Sequence, residues 1–248
     1  MDNSQKWGIT ETSDPAFHLE LFDNLYLGNT IITKRLSTKL IDKLVEHKEK
    51  CILHLTCTGM GGSVVEPLVP TVEQTATKFR ELLLKGFPIE QVVLRIDPII
   101  GTDKGFKNAK KVIEAFKEFG IKRVRFSVMD MYDHVKKRFE EKGYRMPYDT
   151  FHAPYQIRKD ISDKLTELGK EYGFDVECCG EPGLGGLTCL SQKDVDILGL
   201  TDKITLEGYK GQRKSCMCPA NKTELIKAKP QRCPNECLYC YWKTDDGK

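Results

Sequence analysis

Between residues 50 and 180 the chain repeatedly runs a short apolar stretch rich in β-branched residues, then an amphipathic stretch, then a glycine. Ile52–Cys57, Val92–Asp97, Arg123–Met129 and Phe174–Cys178 read as buried strands. Between and around them, apolar residues recur at helical spacing. Leu36, Leu40, Ile41, Leu44 and Val45 share one face, and Val72, Ala76, Phe79, Leu82 and Leu83 another, opened by a Thr71…Gln74 capping box. Ala109, Val112, Ile113 and Phe116 form a third face, and Ile161, Leu165 and Leu168 a fourth. Gly86, Gly120, Gly143 and Gly173 stand where a left-handed C-cap belongs, and three of them soon lead into the next strand. This alternation demands a parallel α/β sheet with crossover helices. With further strands near Tyr26–Ile32 and in the C-terminal region, about six units suit a partial (β/α) TIM-like barrel better than a closed one of eight. The expected organisation is a barrel over residues 1–200 and a cysteine-rich, basic, cluster-binding segment over 201–248 packed on it.

At 40% hydrophobic and 30% charged residues the chain is neither a disordered polyelectrolyte nor a membrane protein. No apolar run approaches the roughly 20 residues of a spanning helix. The start Met1–Lys6 lacks a secretory pattern, so a cytoplasmic location is expected. In such a reducing compartment ten cysteines point to metal or thiol chemistry rather than disulfides. Eight of the ten lie beyond residue 177. Charge is uneven too: ten basic and five acidic side chains from Lys203 to Lys248 give +5, against +3 for the whole chain. Such a tail can hold a polyanion or offset a thiolate-bound cluster.

The sharpest motif is Cys233-Pro234-Asn235-Glu236-Cys237-Leu238-Tyr239-Cys240. A C-x3-C-x2-C spacing directs three thiolates at three irons of one [4Fe–4S] cube and leaves the fourth iron open. A zinc knuckle or a closed cluster completed by a fourth cysteine is the alternative. The motif, including the aromatic Tyr239, resembles that of the radical S-adenosylmethionine (radical SAM) enzymes. There, S-adenosylmethionine occupies the open iron and is cleaved to a 5′-deoxyadenosyl radical. In that superfamily the motif usually follows the first barrel strand, whereas here eight residues follow Cys240. The resemblance implies either a permuted radical SAM protein, with the cluster loop threaded back over the barrel mouth, or a motif borrowed for a different cluster.

The resemblance extends through Thr12–Phe17, His54–Gly59, Leu94–Ile100 and Phe126–Tyr132. Together with the final cysteines, these segments resemble a bacterial and phage family with a radical-SAM-like CxxxCxxC motif at the C-terminus. That family is grouped with DNA repair photolyases of the spore photoproduct lyase type. The resemblance implies a nucleic acid or nucleotide as substrate and an external reductant such as flavodoxin or ferredoxin.

Upstream, Cys178-Cys179, Cys189 and Cys216-Met217-Cys218 supply enough thiolates for a second Fe–S cluster or a zinc. Strand neighbours face opposite ways, so Cys179, Cys189, Cys216 and Cys218 are the expected ligands, with Cys178 turned to the core. Cys51 and Cys57 read as buried free thiols. Gly59-Met60-Gly61-Gly62-Ser63 follows a strand but lacks phosphate-loop spacing. Radical SAM enzymes have a glycine-rich segment that meets the methionine amino group of the cofactor. By that resemblance Thr58, Gly59, Gly61, Gly62 and Glu66 are candidate cofactor-binding residues, the alternative being a tight turn that needs positive φ.

Arg95 and Asp97 alternate with Leu94 and Ile96, and Glu177 with Val176 and Cys178. Charges inside a barrel are costly unless paired or aimed at a ligand, so Arg95, Asp97 and Glu177 are catalytic candidates, with a structural pair as the alternative. Pro98 is expected to end its strand, setting Asp97 at the rim where barrel sites lie. Tyr239, Tyr241 and Trp242, interleaved with Arg232 and Lys243, suit either a base-stacking platform or a shield over a cluster. The resemblance thus implies a radical SAM-type enzyme acting on a nucleic acid or nucleotide. Its rivals are a non-catalytic Fe–S or zinc adaptor and a zinc-stabilised barrel doing polar chemistry through Asp97 and Glu177.

Overall fold

A computed structural model of the chain describes residues 5–186, 188–210, 216–227 and 233–244. Seven strands form one sheet: β1 (Trp7–Ile9), β2 (Gly28–Thr33), β3 (Cys51–Thr56), β4 (Val92–Ile99), β5 (Arg123–Val128), β6 (Asp175–Cys178) and β7 (Lys222–Glu224). All pairings are parallel, in the order β6-β5-β4-β3-β2-β1-β7. From β1 to β6 each strand is laid beside its predecessor, so the sheet advances in one direction without a reversal. The last strand then returns to the free side of β1. It comes from within the 201–248 segment and adds to the same sheet.

Helices α1 (Thr38–Glu46), α2 (Val72–Leu84), α3 (Asp103–Phe116), α4 (Asp133–Glu141) and α5 (Tyr155–Tyr172) fill the crossovers, and α6 (Gln192–Ile197) follows β6. The Thr71–Gln74 capping box is formed, and Gly86, Gly120, Gly143 and Gly173 all take positive φ. Leu40, Ile41 and Leu44 of α1 are fully buried, each transfer from water being worth roughly 1.5–3 kcal/mol.

Strand alternation divides the interior. Leu53, Leu55, Leu94, Ile96, Val124 and Phe126 face the helices in the main core. Their neighbours Trp7, Ile52 and Val93 meet Val195 of α6 on the other face, while Ile9 and Ile32 meet cysteines.

Two expectations need revision. The ladder does not stop at Pro98: β4 runs on to Ile99 through a cis Asp97–Pro98 bond. Proline has no N–H to give the ladder, and the pairing with β5 shifts register between Ile96 and Ile99. The unit count also rises to seven strands, because β1 and β7 are only three residues long and carry no readable periodicity. Among the described residues no helix is long and apolar enough to cross a membrane.

Candidate functional site

A cavity of about 160 Å³ opens where the strands end. Its wall takes Thr10–Asp14 from after β1, Lys34 from after β2, Thr56 from β3, Arg95 and Asp97 from β4, and Val128–Asp130 from β5. Cys233, Cys237 and Cys240 line the same cavity. Cys240 interacts electrostatically with both Cys233 and Cys237. Burial pushes the Cys237 thiol up to about 12, against the Lys34 ammonium. Burial likewise raises Cys240.

The cysteine loop is held from several sides. Asn235 Nδ2 donates to Asp14 Oδ2 at 2.9 Å, and the Leu238 N–H to the Val65 carbonyl at 3.0 Å. Arg138 Nη2 donates to the Cys240 carbonyl at 2.6 Å, and His134 Nε2 meets that of Tyr241 at 3.1 Å. Both of those side chains come from α4. Asp14 also accepts from the Thr33 hydroxyl at 2.7 Å and the Lys34 N–H at 2.9 Å, so one carboxylate joins β1, β2 and the loop. Between the first two motif cysteines Glu236 takes φ 51°. That left-handed residue costs about 1–2 kcal/mol, which the Asn235 and Leu238 bonds offset.

Glu66 is fully buried and accepts from Thr58 Oγ1 at 2.6 Å, Lys34 Nζ at 3.0 Å and the Tyr239 hydroxyl. Its carboxylate therefore clamps the aromatic residue of the cysteine motif rather than facing the cavity. Thr58, Gly59, Gly61 and Gly62 are likewise absent from the cavity wall. The glycines answer to close packing: a Cβ on Gly61 would lie 1.9 Å from the Pro70 carbonyl oxygen, and Gly59 (φ +77°) packs on Asn108. The turn sits beneath the cysteine loop and supports it.

Arg95 Nη2 pairs with Asp97, whose other oxygen accepts from Ser127 Oγ at 2.6 Å. These two candidates do face the cavity. Glu177 does not. It lies in the interior row Thr56–Arg95–Arg125–Glu177 fixed by strand register. There it accepts from Arg123 Nε and Arg125 Nε, each at 3.0 Å, while Arg123 Nη1 reaches Asp194 of α6 at 2.8 Å. Burial acts to raise the Glu177 carboxyl, but Arg125 and then Arg123 bring it below its ordinary value. His54 Nε2 is 3.4 Å from Arg125 Nη1, and burial followed by that cation keeps the imidazole neutral, well below its ordinary value.

Cys178 packs in the helix-side core and Cys179 on the opposite face, as strand alternation requires. Cys179 Sγ and Cys189 Sγ are 3.7 Å apart and share a buried cluster with Cys218, against which Cys216 packs. Cys51 and Cys57 are buried, and burial pushes both up to about 12, which leaves them inert. Among the described residues no three His, Cys, Asp or Glu side chains already converge on one point as they do around a bound ion.

Besides Arg95 Nε, two groups in the cavity wall are buried without a hydrogen-bond partner: Thr56 Oγ1 and the Asn235 Oδ1 carbonyl. Buried polar atoms are nearly always satisfied, so both point to a ligand or water in the cavity. Tyr132 and Tyr241 stack at 5.6 Å and 18°, with Trp242 at 5.1 Å from Tyr241, all three on the wall. Arg232, expected to join this platform, lies outside the described residues. Sequence reasoning missed Asp14, Lys34, Arg138 and Asn235, which hold the loop. Asp14 alone carried a local signal, as the N-cap before Pro15.

The profile of a family described as a domain of unknown function, DUF1848, matches residues 29–242. No curated protein matches the chain.

Proposed function

The chain belongs to the DUF1848 family, and we propose that it is an iron–sulfur enzyme of the radical SAM type working at the mouth of an opened (β/α) barrel. One observation carries this reading: all three thiols of the CxxxCxxC motif line one cavity with Arg95 and Asp97, at the carboxyl ends of the strands. Strand order that advances without reversal supports an opened barrel over a doubly wound sheet, whose order reverses about a switch point. The donor set fits a [4Fe–4S] cube with one open iron, held by Cys233, Cys237 and Cys240. The cluster and S-adenosylmethionine would supply one-electron cleavage of the sulfonium, giving methionine and a 5′-deoxyadenosyl radical that abstracts hydrogen from an unreactive C–H bond.

The chain's own residues do the rest. The Glu66–Lys34–Tyr239 clamp orients the loop, and Asp14 fixes Asn235 beside Cys237. Thr56 Oγ1 and Asn235 Oδ1 offer unsatisfied polar atoms to whatever enters. Arg95, Asp97 and Ser127 form a pre-paired polar floor that keeps its geometry without a ligand. The rim of Tyr132, Tyr241 and Trp242 excludes water and presents aromatic faces on which a base can stack, which supports a nucleotide or nucleic acid as substrate. A reductant such as ferredoxin or flavodoxin would deliver the electron, in keeping with a cytoplasmic setting. Cys179, Cys189, Cys216 and Cys218 would hold a second metal group.

The test uses protein purified and reconstituted without oxygen. EPR of the reduced cluster is recorded with and without S-adenosylmethionine, and 5′-deoxyadenosine is assayed. The expected result is a spectrum altered by the cofactor and formation of 5′-deoxyadenosine. An iron signal indifferent to the cofactor, with no cleavage, would overturn the enzyme and leave a non-catalytic Fe–S binding protein. Colourless, iron-free protein would overturn the cluster.

A further inference from the structure

The sheet has two unpaired edges, β6 and β7, and among the described residues no backbone pairing joins them. Cysteines stand at both. Cys179 directly follows β6, its N–H still donating to the Phe126 carbonyl at 2.9 Å. Cys216 and Cys218 lie in the segment leading into β7, and Cys189 lies in the connection between the two edges. The four thiols cluster at the seam, Cys179 beside Cys189 and Cys216 at the edge, packed with Ile9 and Ile32 without converging on one point.

The spacing is informative. Four sulfurs around one tetrahedral ion, at metal–sulfur distances of about 2.3 Å, stand about 3.8 Å apart. The Cys179–Cys189 separation is 3.7 Å. An iron–sulfur cube takes one thiolate per iron and holds its ligands farther apart. A disulfide needs its sulfurs at about 2.05 Å. Four thiolates on a divalent ion leave a net 2−, and three cations lie near them, each also paired with a carboxylate: Arg95 with Asp97, Arg125 with Glu177 and Lys222 with Glu11. Arg95 and Arg125 act on Cys179 and Cys189, and Lys222 acts on Cys189 and Cys218. Cys179, Cys216 and Cys218 also border a glycine-rich cavity of about 150 Å³, which gives half-buried Cys216 room to swing inward.

We infer that Cys179, Cys189, Cys216 and Cys218 hold one tetrahedral divalent ion, zinc by its donor set, which clips the β6 edge to the β7 edge where no strand pairing does so. The inference deepens the second-metal reading above and is independent of the chemistry at the Cys233 loop. The site is structural, with four protein ligands and no open position.

The experiment uses the full chain with Cys233→Ala, Cys237→Ala and Cys240→Ala together, which removes the first motif and leaves the second. Elemental analysis should find about one zinc per chain and no acid-labile sulfide, falling to about zero when Cys189→Ser or Cys216→Ser is added. X-ray absorption of the triple variant should show four sulfur neighbours at about 2.3 Å. Stripping with a chelator should lower the melting temperature, and zinc should restore it. Iron with equimolar labile sulfide in the triple variant would overturn the inference. So would metal that survives Cys189→Ser, or metal-free protein whose mass shows an oxidised cysteine pair. If the doubly altered proteins do not fold, fewer than four sulfur neighbours in the triple variant would overturn it as well. None of these results depends on whether the intact protein forms 5′-deoxyadenosine.

Discussion

Replacing Glu66 by glutamine tests how the cysteine loop is held. The wild-type carboxylate offers two oxygens to three donors: Thr58 Oγ1 at 2.6 Å, Lys34 Nζ at 3.0 Å and the Tyr239 hydroxyl. A glutamine keeps the volume but presents one acceptor and an amide NH2, so at least one donor must face another donor. The larger loss is charge. Removing one partner of a buried ion pair costs roughly 3–5 kcal/mol, because the other is left uncompensated. The Lys34 side chain is 17% exposed and can turn part of its charge to water, which brings the expectation down to about 2–4 kcal/mol. The double variant Glu66→Gln/Lys34→Met should cost less than the two single changes summed, with a coupling of about 1.5 kcal/mol or more.

The assay is urea unfolding, read as a midpoint shift at constant slope, with hydrogen exchange at the Leu238 amide. That amide donates to Val65 beside Glu66, so its protection should fall with the clamp. A pH arm checks the cause. Burial opposes the Lys34 charge, but Glu66 and then Cys237 raise its value above 10.5. A raised lysine contributes stability that is fully present below the unfolded value and lost as pH rises through the folded one. The wild type should therefore lose stability above about pH 10.5 more steeply than Glu66→Gln. A cost under about 1 kcal/mol with unchanged Leu238 exchange would refute the clamp.

Glu177→Gln should cost about 3–5 kcal/mol by urea unfolding, since it strands Arg125 and leaves Arg123 with Asp194 alone, the two arginines being 0% and 1% exposed. Glu141→Gln, on an exposed i,i+4 pair with Lys137, should cost under about 0.5 kcal/mol in the same assay. His54 is held neutral, so below about pH 6.5 the unfolded chain takes up a proton that the folded chain refuses. Stability should then fall by about 1.4 kcal/mol per pH unit as pH drops below that point, and His54→Phe should flatten this limb of the stability–pH curve.

The parts of the fold that were legible are those where one strand is long enough to alternate and one helix long enough to repeat. β3, β4 and β5 run six to eight residues with an apolar helix-facing set, and α2 carries its own start signal in Thr71 and Gln74. β1 is a three-residue Trp-Gly-Ile, recognisable only once β2 and β7 supply its partners. α4 buries little more than Val135 and Phe139, too thin a stripe to stand out, yet it delivers Arg138 and His134 to the loop. The interior charges were half legible. The alternation that singled out Arg95 and Asp97 is present again at Arg123 and Arg125, but only strand register shows that these meet Glu177 rather than solvent. Asp194 sits 71 residues from Arg123, a separation no local pattern spans.

The position of the cysteine motif in the sequence is, on the same grounds, no obstacle to a site at the rim where the strands of the sheet end. In a parallel sheet every strand ends at one rim, so the C-terminal ends of β3 and β4 and the segments after β1, β2 and β5 reach the same cavity whatever their order. The cost of bringing a distant segment there grows only as the logarithm of the loop it closes, about 0.6 kcal/mol for each doubling. A handful of specific bonds outweighs that, and here they come from different strand-to-helix connections. Asp14 acts from after β1, Lys34 from after β2, Val65 and Glu66 from after β3, and Arg138 from the helix after β5. Spatial address is set by these contacts, which come from four connections. The motif's spacing fixes which atoms it offers, and the contacts fix where it offers them.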